Sequence, residues 1–361
     1  MIRAVKIERF RGIRECVADG FGRVNLIIGR NDCGKTAFME ALEIADDARD
    51  AAHVMRTCQR RRLGRAAKSH DFERFWRPLF LDLDAKAGFA ISATRDDDAR
   101  NFLEARQGTV DGDIVVDRHA LQGEGEHGSY ELEDDVVSPA WAIDLDHTGY
   151  DRTKTQLRMV AMPGRLKLPP VSGESGSAWI LSGANVDEHE VRHVSTLKQR
   201  GQDTSLVELL REIDGRVSGI ELLAPGGSVA ELFVRMDRTM PLLPVGLMGD
   251  GFQRCLELGA AAAADDWPTM FIDEIENGMH HLVLEPLWRW IAKVARQRNL
   301  QVFATTHSEE CIHAASRAFH SLDDDGLRVI RLDRLDRSTR ATIYDRALVE
   351  TAERTGTEIR G

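Results

Sequence analysis

The chain has 361 residues, with 48 Lys and Arg against 59 Asp and Glu and a formal charge of −11, which argues against a protein that coats a polyanion. With 42% hydrophobic and 30% charged residues, it reads as a globular chain long enough for about two domains, and a disordered or fibrous protein is excluded. The five cysteines, Cys16, Cys33, Cys58, Cys255 and Cys311, form no C-x-x-C pair, so neither a disulfide framework nor a cysteine zinc site is expected, and a reducing cytoplasm is the expected location.

Charges interrupt the opening MIRAVKIERFRG, so no signal-peptide core is expected there. Residues 2–10 partly alternate apolar and charged side chains, and residues 24–28, VNLII, form an apolar run ending at Gly29. Both read as strands, the second buried. From Lys35 onward, Phe38, Leu42 and Ala45 recur at helical spacing, giving the order strand, glycine loop, helix. Residues 48–240 differ in texture: an arginine-rich stretch, short strand-like runs, the acidic clusters 96–98 and 131–135, and the turn-rich segment 163–178. This region is expected to be an inserted lid or partner-binding subdomain. Within it, residues 206, 209, 210, 213 and 217 form a helical stripe too short for a long coiled coil. Asp265 and Asp266 break the most apolar later stretch, 256–272, so no membrane span is expected. Residues 269–272 and 301–306 read as strands with a helix through 284–295 between them, which suggests parallel strands with crossover helices. Residues 327–345 read as two alternating strands joined by a polar turn. The expected fold class is α/β: a mixed sheet flanked by helices, built from residues 1–47 and 241–345 around the insertion 48–240, with a helical or loose tail over 346–361.

The strongest motif is Gly29-Arg30-Asn31-Asp32-Cys33-Gly34-Lys35-Thr36, an unbroken G-x-x-x-x-G-K-[ST] followed by Ala37 in the helix. Its glycines let backbone N–H groups curl around phosphate oxygens, Lys35 offers charge to the β and γ phosphates, and Thr36 offers a hydroxyl to Mg²⁺. The helix start adds its positive dipole end. The second motif, WPTMFIDEIENGMHH over 267–281, ends a strand in Asp273 and Glu274. Asp273 would complete the Mg²⁺ shell, mostly through water, and Glu274 would act as base or positioner for attacking water. A third strand ends in Thr305-Thr306-His307-Ser308, where His307 could sense a γ-phosphate or its water. His280 and His281 are adjacent, which does not suit zinc. Gly249-Asp250-Gly251 opens an apolar helix, either as a further anion site or only as a helix cap.

In this order, KIERFRGI (6–13), GRNDCGKT, MGDGFQR, FIDEIENGMHH and ATTHS resemble the ABC-type ATPases of the SMC, RecF and OLD clan, in particular small stand-alone bacterial ATPases related to the OLD ATPase domain. The resemblance covers residues 1–45 and 245–345. It implies a P-loop fold of ABC type with ATP and Mg²⁺ as cofactors, Lys35, Glu274 and His307 as catalytic residues, and Thr36 and Asp273 at the metal. It further implies a homodimer or higher oligomer, in which Gly249, Asp250, Gly251 and Arg254 form a signature motif touching the γ-phosphate bound to the other subunit. Arg11 would sit near the nucleotide. Gly249 stands where a serine is usual, so one hydroxyl contact across the dimer is missing, and a scaffold with little turnover is a further reading. SMC coils and a TOPRIM nuclease domain are not evident, and the 53 residues after Ser308 carry no paired-carboxylate nuclease constellation. The expected function is therefore an ATP-driven dimeric switch that regulates a separate effector, a nuclease or toxin, in anti-phage defence. The alternative is a RecF-like, ATP-dependent DNA-binding repair protein. That alternative draws on Arg56, Arg60, Arg61, Arg62, Arg65 and Lys68, which could track a phosphate backbone, dock an acidic partner or form a solvated helix face. A membrane transporter's ATPase fits the FRG start and the irregular insertion less well.

Overall fold

In the structure, a computed structural model, the described residues are 1–46, 72–109, 129–131, 141–162, 165–167, 177–181, 188–225, 227, 229–237, 242–264, 267–335, 338–355 and 359. The basic stretch from Arg56 to Lys68 lies outside them, as do most of 131–135 and 163–178.

The chain opens with the antiparallel pair β1 (Ile2–Phe10) and β2 (Ile13–Asp19), then β3 (Val24–Ile28) and helix α1 (Lys35–Asp46). Strands β4 (Phe89–Arg95), β5 (Arg100–Gly108), β6 (Ser129–Glu131), β7 (Trp141–Thr148), β8 (Lys154–Met162) and β9 (Arg165–Lys167) follow. They join β1 and β2 in one antiparallel sheet of order β2-β1-β4-β5-β7-β8-β9-β6. After β10 (Ser177–Ile180) come helices α2 (Glu188–Gln199) and α3 (Thr204–Ile213), and β11 (Val217–Leu223), β12 (Glu231–Met236) and β13 (Leu243–Pro244) form a small sheet. The last third comprises α4 (Asp250–Ala264), β14 (Thr269–Ile272), α5 (His281–Gln297), β15 (Gln301–Thr305), α6 (Glu309–Ser321), β16 (Leu327–Leu335), β17 (Ser338–Asp345) and α7 (Arg346–Thr355).

The central sheet has the order β10-β14-β15-β3-β16-β17, parallel from β10 to β16 and closed by antiparallel β17. Its apolar runs are continuous because both faces are covered. Leu26, Met270, Ile272, Val302, Ala304 and Val329 point into a core shared with α4, α5 and α6. Their neighbours Ile27, Phe271, Phe303 and Ile330 point into the opposite core, shared with α1 and the antiparallel sheet. On that second side Trp179, Phe271 and Phe303 stack across three adjacent strands, at 5.1 and 5.6 Å between ring centroids. This aromatic stack pins the register of β10, β14 and β15.

The region set apart from the sequence as an insertion is built into these layers where it is described. β4 pairs with β1, β10 is the edge strand beside β14, and α2 and α3 pack on α4. The helical stripe expected over 204–217 stops at Ile213, because the Asp214 carboxylate turns onto the backbone N–H and guanidinium of Arg216, and Val217 already belongs to β11. Among the described residues no helix is long and apolar enough to cross a membrane.

Candidate functional site

Three loops leave the carboxyl ends of neighbouring parallel strands: Gly29–Thr36 after β3, Asp273–His280 after β14 and Thr306–Ser308 after β15. β15 lies between β3 and β14, so the His307 loop sits between the glycine loop and the acidic turn. Ligands of open parallel sheets bind at such strand ends.

The glycine loop is shaped by its two terminal glycines. Gly29 has φ +140°, and a Cβ there would lie 2.5 Å from the Leu332 carbonyl oxygen and 2.7 Å from Cys33 Sγ. Gly34 has φ +98° and accepts the backbone N–H of Phe38 at 2.8 Å as α1 begins. Asp32, at φ 62°, is one of the residue types that tolerate the left-handed region. Lys35 is buried, and its ammonium donates to the carbonyls of Gly29 (2.9 Å) and Arg30 (3.1 Å), curled inside the loop. Burial pushes the Cys33 thiol above its ordinary range, and the Lys35 charge partly opposes that shift.

The acidic turn is tied to β15 by Thr305, which is 1% exposed. Its hydroxyl donates to Asp273 Oδ1 at 2.7 Å and accepts the Glu274 backbone N–H at 2.8 Å. The Ile275 N–H donates to the Thr305 carbonyl at 3.0 Å. Glu274 thereby holds a φ of +46°, a conformation that a non-glycine residue keeps only when its surroundings fix it. Glu276 Oε1 accepts the His307 backbone N–H at 2.7 Å, joining the acidic turn to the histidine loop, while Glu274 Oε1 lies 3.8 Å from His307 Nε2. Ser308 then caps α6 by accepting the Cys311 N–H, with Glu309 and Glu310 in the first turn.

These loops enclose an open cleft of about 600 Å³ lined by Asn31, Asp32, Gly34, Lys35, Thr36, Ala37, Glu274 and His307. The loop curl, the ammonium, the helix N-terminus and a hydroxyl suit a polyphosphate. The Thr36 hydroxyl and the Asp273 carboxylate are hard oxygen donors that suit Mg²⁺. Among the described residues no cluster of three or more His, Cys, Asp or Glu side chains offers a metal site of the protein's own; His280 caps α5 by accepting the Leu282 N–H, and its ring lies tilted against that of His281 at 4.1 Å.

Nine of the site residues expected from the sequence lie outside this lining: Gly29, Arg30, Cys33 and Asp273 belong to the loops that form it, and Gly249, Asp250, Gly251, Arg254 and Arg11 do not. Gly249 and Asp250 are exposed and Gly251 half-buried at the N-terminus of α4, and none of the three lines the cleft of its own chain. Arg254 is turned inward at 6% exposure: it donates to the carbonyls of Leu181 (2.8 Å) and Asp273 (3.1 Å) and to Glu257 Oε2 (2.7 Å). It is thus not placed to reach outward with the rest of its motif. Arg11 is likewise buried, 2.6 Å from Glu40 on α1, so it braces the helix behind the glycine loop instead of facing the cleft. No motif in the sequence assigns a role to Thr305 or Glu276. The one available signal for Glu276 was a second carboxylate two positions after Glu274.

A family profile described as "AAA domain, putative AbiEii toxin, Type IV TA system" matches residues 24–312. The chain is 23% identical over 355 residues to a Helicobacter pylori protein named ATP/GTP phosphatase, covering 90% of each. A stretch of 50 residues is 38% identical to an uncharacterized protein of Methanocaldococcus jannaschii, 14% of this chain and 23% of that one. Among solved structures the chain is similar to an SMC head bound to the C-winged-helix domain of ScpA, with a TM-score of 0.50, 10% identity and 98% and 99% of the two chains covered. That likeness shows the fold, a P-loop head of the ABC type.

Proposed function

The chain belongs to the family of AAA domains described as AbiEii-like and is an ATPase of the AAA/SMC-like type, and we propose that it works as an ATP-driven dimeric switch controlling a separate effector. The observation that carries the chemical part is the convergence of Lys35, Thr36, Glu274 and His307 on one cleft, with Asp273 tied to the same turn. In this reading the backbone of Gly29–Thr36 and the Lys35 ammonium bind the β and γ phosphates of ATP. Thr36 and Asp273 hold Mg²⁺, which when bound neutralises charge on the phosphate oxygens. Glu274 orients the attacking water and takes up its proton at a carboxylate oxygen, and its fixed backbone keeps that oxygen near His307. His307 contacts the γ-phosphate or that water and reports its presence to α6.

Gly249–Gly251 meet the γ-phosphate held by a second copy of the chain, so two nucleotides are enclosed between two subunits. The exposure of Gly249 and Asp250 and the absence of all three from the lining of their own chain's cleft support this arrangement. The effector is a nuclease or toxin and the setting anti-phage defence. Membership in a family of AAA domains described as a putative AbiEii toxin of a type IV TA system supports that direction.

The test is recovery of the Glu274→Gln chain from its native cells with ATP and Mg²⁺, followed by identification of co-purifying protein and nucleic acid. A stoichiometric protein of nuclease-like or toxin-like sequence is expected, lost when ATP is omitted. An eluate holding nuclease-sensitive DNA and no protein partner would overturn the effector reading.

A further inference from the structure

We infer that Arg254 is a positioning residue within its own chain, a strap that couples the N-terminus of α4 to the Asp273–Glu274 turn, and not a contact to nucleotide on the second copy. The inference rests on the dimer reading above for its consequence and on geometry for its placement. The side chain lies one turn inside α4, 6% exposed. One terminal nitrogen donates to the Leu181 carbonyl just past β10 and to Glu257 on its own helix, and the other donates to the Asp273 carbonyl.

Asp273 is thereby held at three points from three elements. Its N–H donates to Ile180 O of β10 at 2.9 Å, its carboxylate accepts from Thr305 of β15, and its carbonyl accepts from Arg254 of α4. The peptide whose oxygen Arg254 holds is the one whose nitrogen belongs to Glu274, so a shift of the guanidinium moves the backbone of both acids.

α4 grips the same loop at its far end. A Cβ on Gly251 would lie 3.1 Å from the Gly278 carbonyl oxygen, so the first turn of the helix is packed directly on Gly278–Met279. The helix therefore touches both ends of the segment 273–279, and a rigid helix passes a shift at its N-terminus on to both contacts. A polyphosphate drawn to the exposed Gly249–Asp250 end of α4 would displace that helix relative to β14, and Arg254 carries the displacement to the turn bearing the metal acid and the base. Arginine suits the strap because its planar fork bonds several acceptors at once, which a lysine ammonium at the same place cannot match in geometry.

The test uses Arg254→Lys, which keeps the charge beside Glu257 and so guards against simple misfolding, checked by thermal unfolding. First, Mg²⁺ is titrated into the chain with a fluorescent ATP analogue. The half-saturating Mg²⁺ concentration is expected to rise at least about threefold, with nucleotide affinity in EDTA unchanged; an unchanged Mg²⁺ midpoint overturns the inference. Second, each of two chains expected to be slowed in hydrolysis, Gly249→Asp in the signature and Arg254→Lys at the turn that carries Glu274, is mixed with Lys35→Ala and ATPase is measured at saturating Mg²⁺. Gly249→Asp, at an open position, is expected to regain activity in the mixture, because the intact signature comes from the other chain. Arg254→Lys is expected to gain nothing in the mixture, because the defect lies in the chain that binds the nucleotide. Recovery of the Arg254→Lys mixture to the Gly249→Asp level overturns the inference. Failure of both mixtures would instead remove the dimer reading and leave the Mg²⁺ midpoint to decide the placement of Arg254.

Discussion

Replacing Thr305 with Val removes one hydroxyl while keeping shape and β-branching, so packing inside the strand is preserved. Two bonds disappear: one to an ionised carboxylate, Asp273 Oδ1, and one from the Glu274 N–H. A hydrogen bond to a charged group contributes about 1.5–3 kcal/mol and an ordinary one about 0.5–1.5, and the stranded N–H adds a desolvation cost where water cannot reach it. Because the turn is half-buried, water repairs part of the loss, and a net destabilisation of about 2–4 kcal/mol is expected. Urea unfolding should show a lower midpoint with an unchanged m-value. The catalytic effect should exceed the stability effect: Glu274 keeps its φ of +46° through this bond, and a displacement of about 1 Å at a water-positioning group can lower kcat by ~100-fold. Thr305→Ser keeps the hydroxyl and should recover most of both. A Thr305→Val chain with wild-type kcat and a stability change below about 0.5 kcal/mol would refute the assignment of Thr305 as the tie that orders the acidic turn.

Arg11→Met should destabilise the fold by about 3–5 kcal/mol, because it leaves the Glu40 carboxylate short of a buried partner, while the Kd for ATP in the folded chain stays the same; a raised Kd with normal stability would instead support a nucleotide contact. Gly29→Ala meets the Leu332 carbonyl oxygen at 2.5 Å and a forbidden φ, so nucleotide binding and thermal stability should both drop sharply, as measured by isothermal titration and melting of the same sample. Cys33, Cys16, Cys255 and Cys311 have thiols raised by burial, the last three to about 12. The thiolate is the minor form below that range, so alkylation of these cysteines at pH 7 should be slow and should keep rising with pH beyond the point where an ordinary thiol levels off. Nucleotide should protect Cys33 alone.

Some of this architecture was legible because its causes are local. Val24–Ile28, Thr269–Ile272 and Gln301–Thr305 are strands buried on both faces, so they read as unbroken apolar runs, and the acids and the histidine follow at their carboxyl ends. The glycine loop is fixed by residue types that few other structures need. The antiparallel strands of the middle region read only as short strand-like runs, because WAIDLDHT and KTQLRMVAM place charged side chains between apolar ones and carry no motif. Nothing local told that β10 would join the edge of the central sheet, since Ser177–Ile180 is only four residues and its partner β14 lies far along the chain. Motif membership gave the position of Arg254 and Arg11 but not the direction of their side chains. Both point inward because buried carboxylates face them, Glu257 one turn on along α4 and Glu40 on α1. Thr305 and Glu276 act through backbone N–H groups of other loops, a relation that appears only when three strand ends are brought side by side.

The most direct test of the account is a paired measurement on the wild-type and Glu274→Gln chains: phosphate release from ATP with Mg²⁺, and molecular mass in solution with and without nucleotide. The account predicts that the wild type hydrolyses ATP and that Glu274→Gln binds it without hydrolysis and accumulates at twice the monomer mass only when ATP is present. Hydrolysis by Glu274→Gln at the wild-type rate, or a monomer mass with ATP bound, would contradict it.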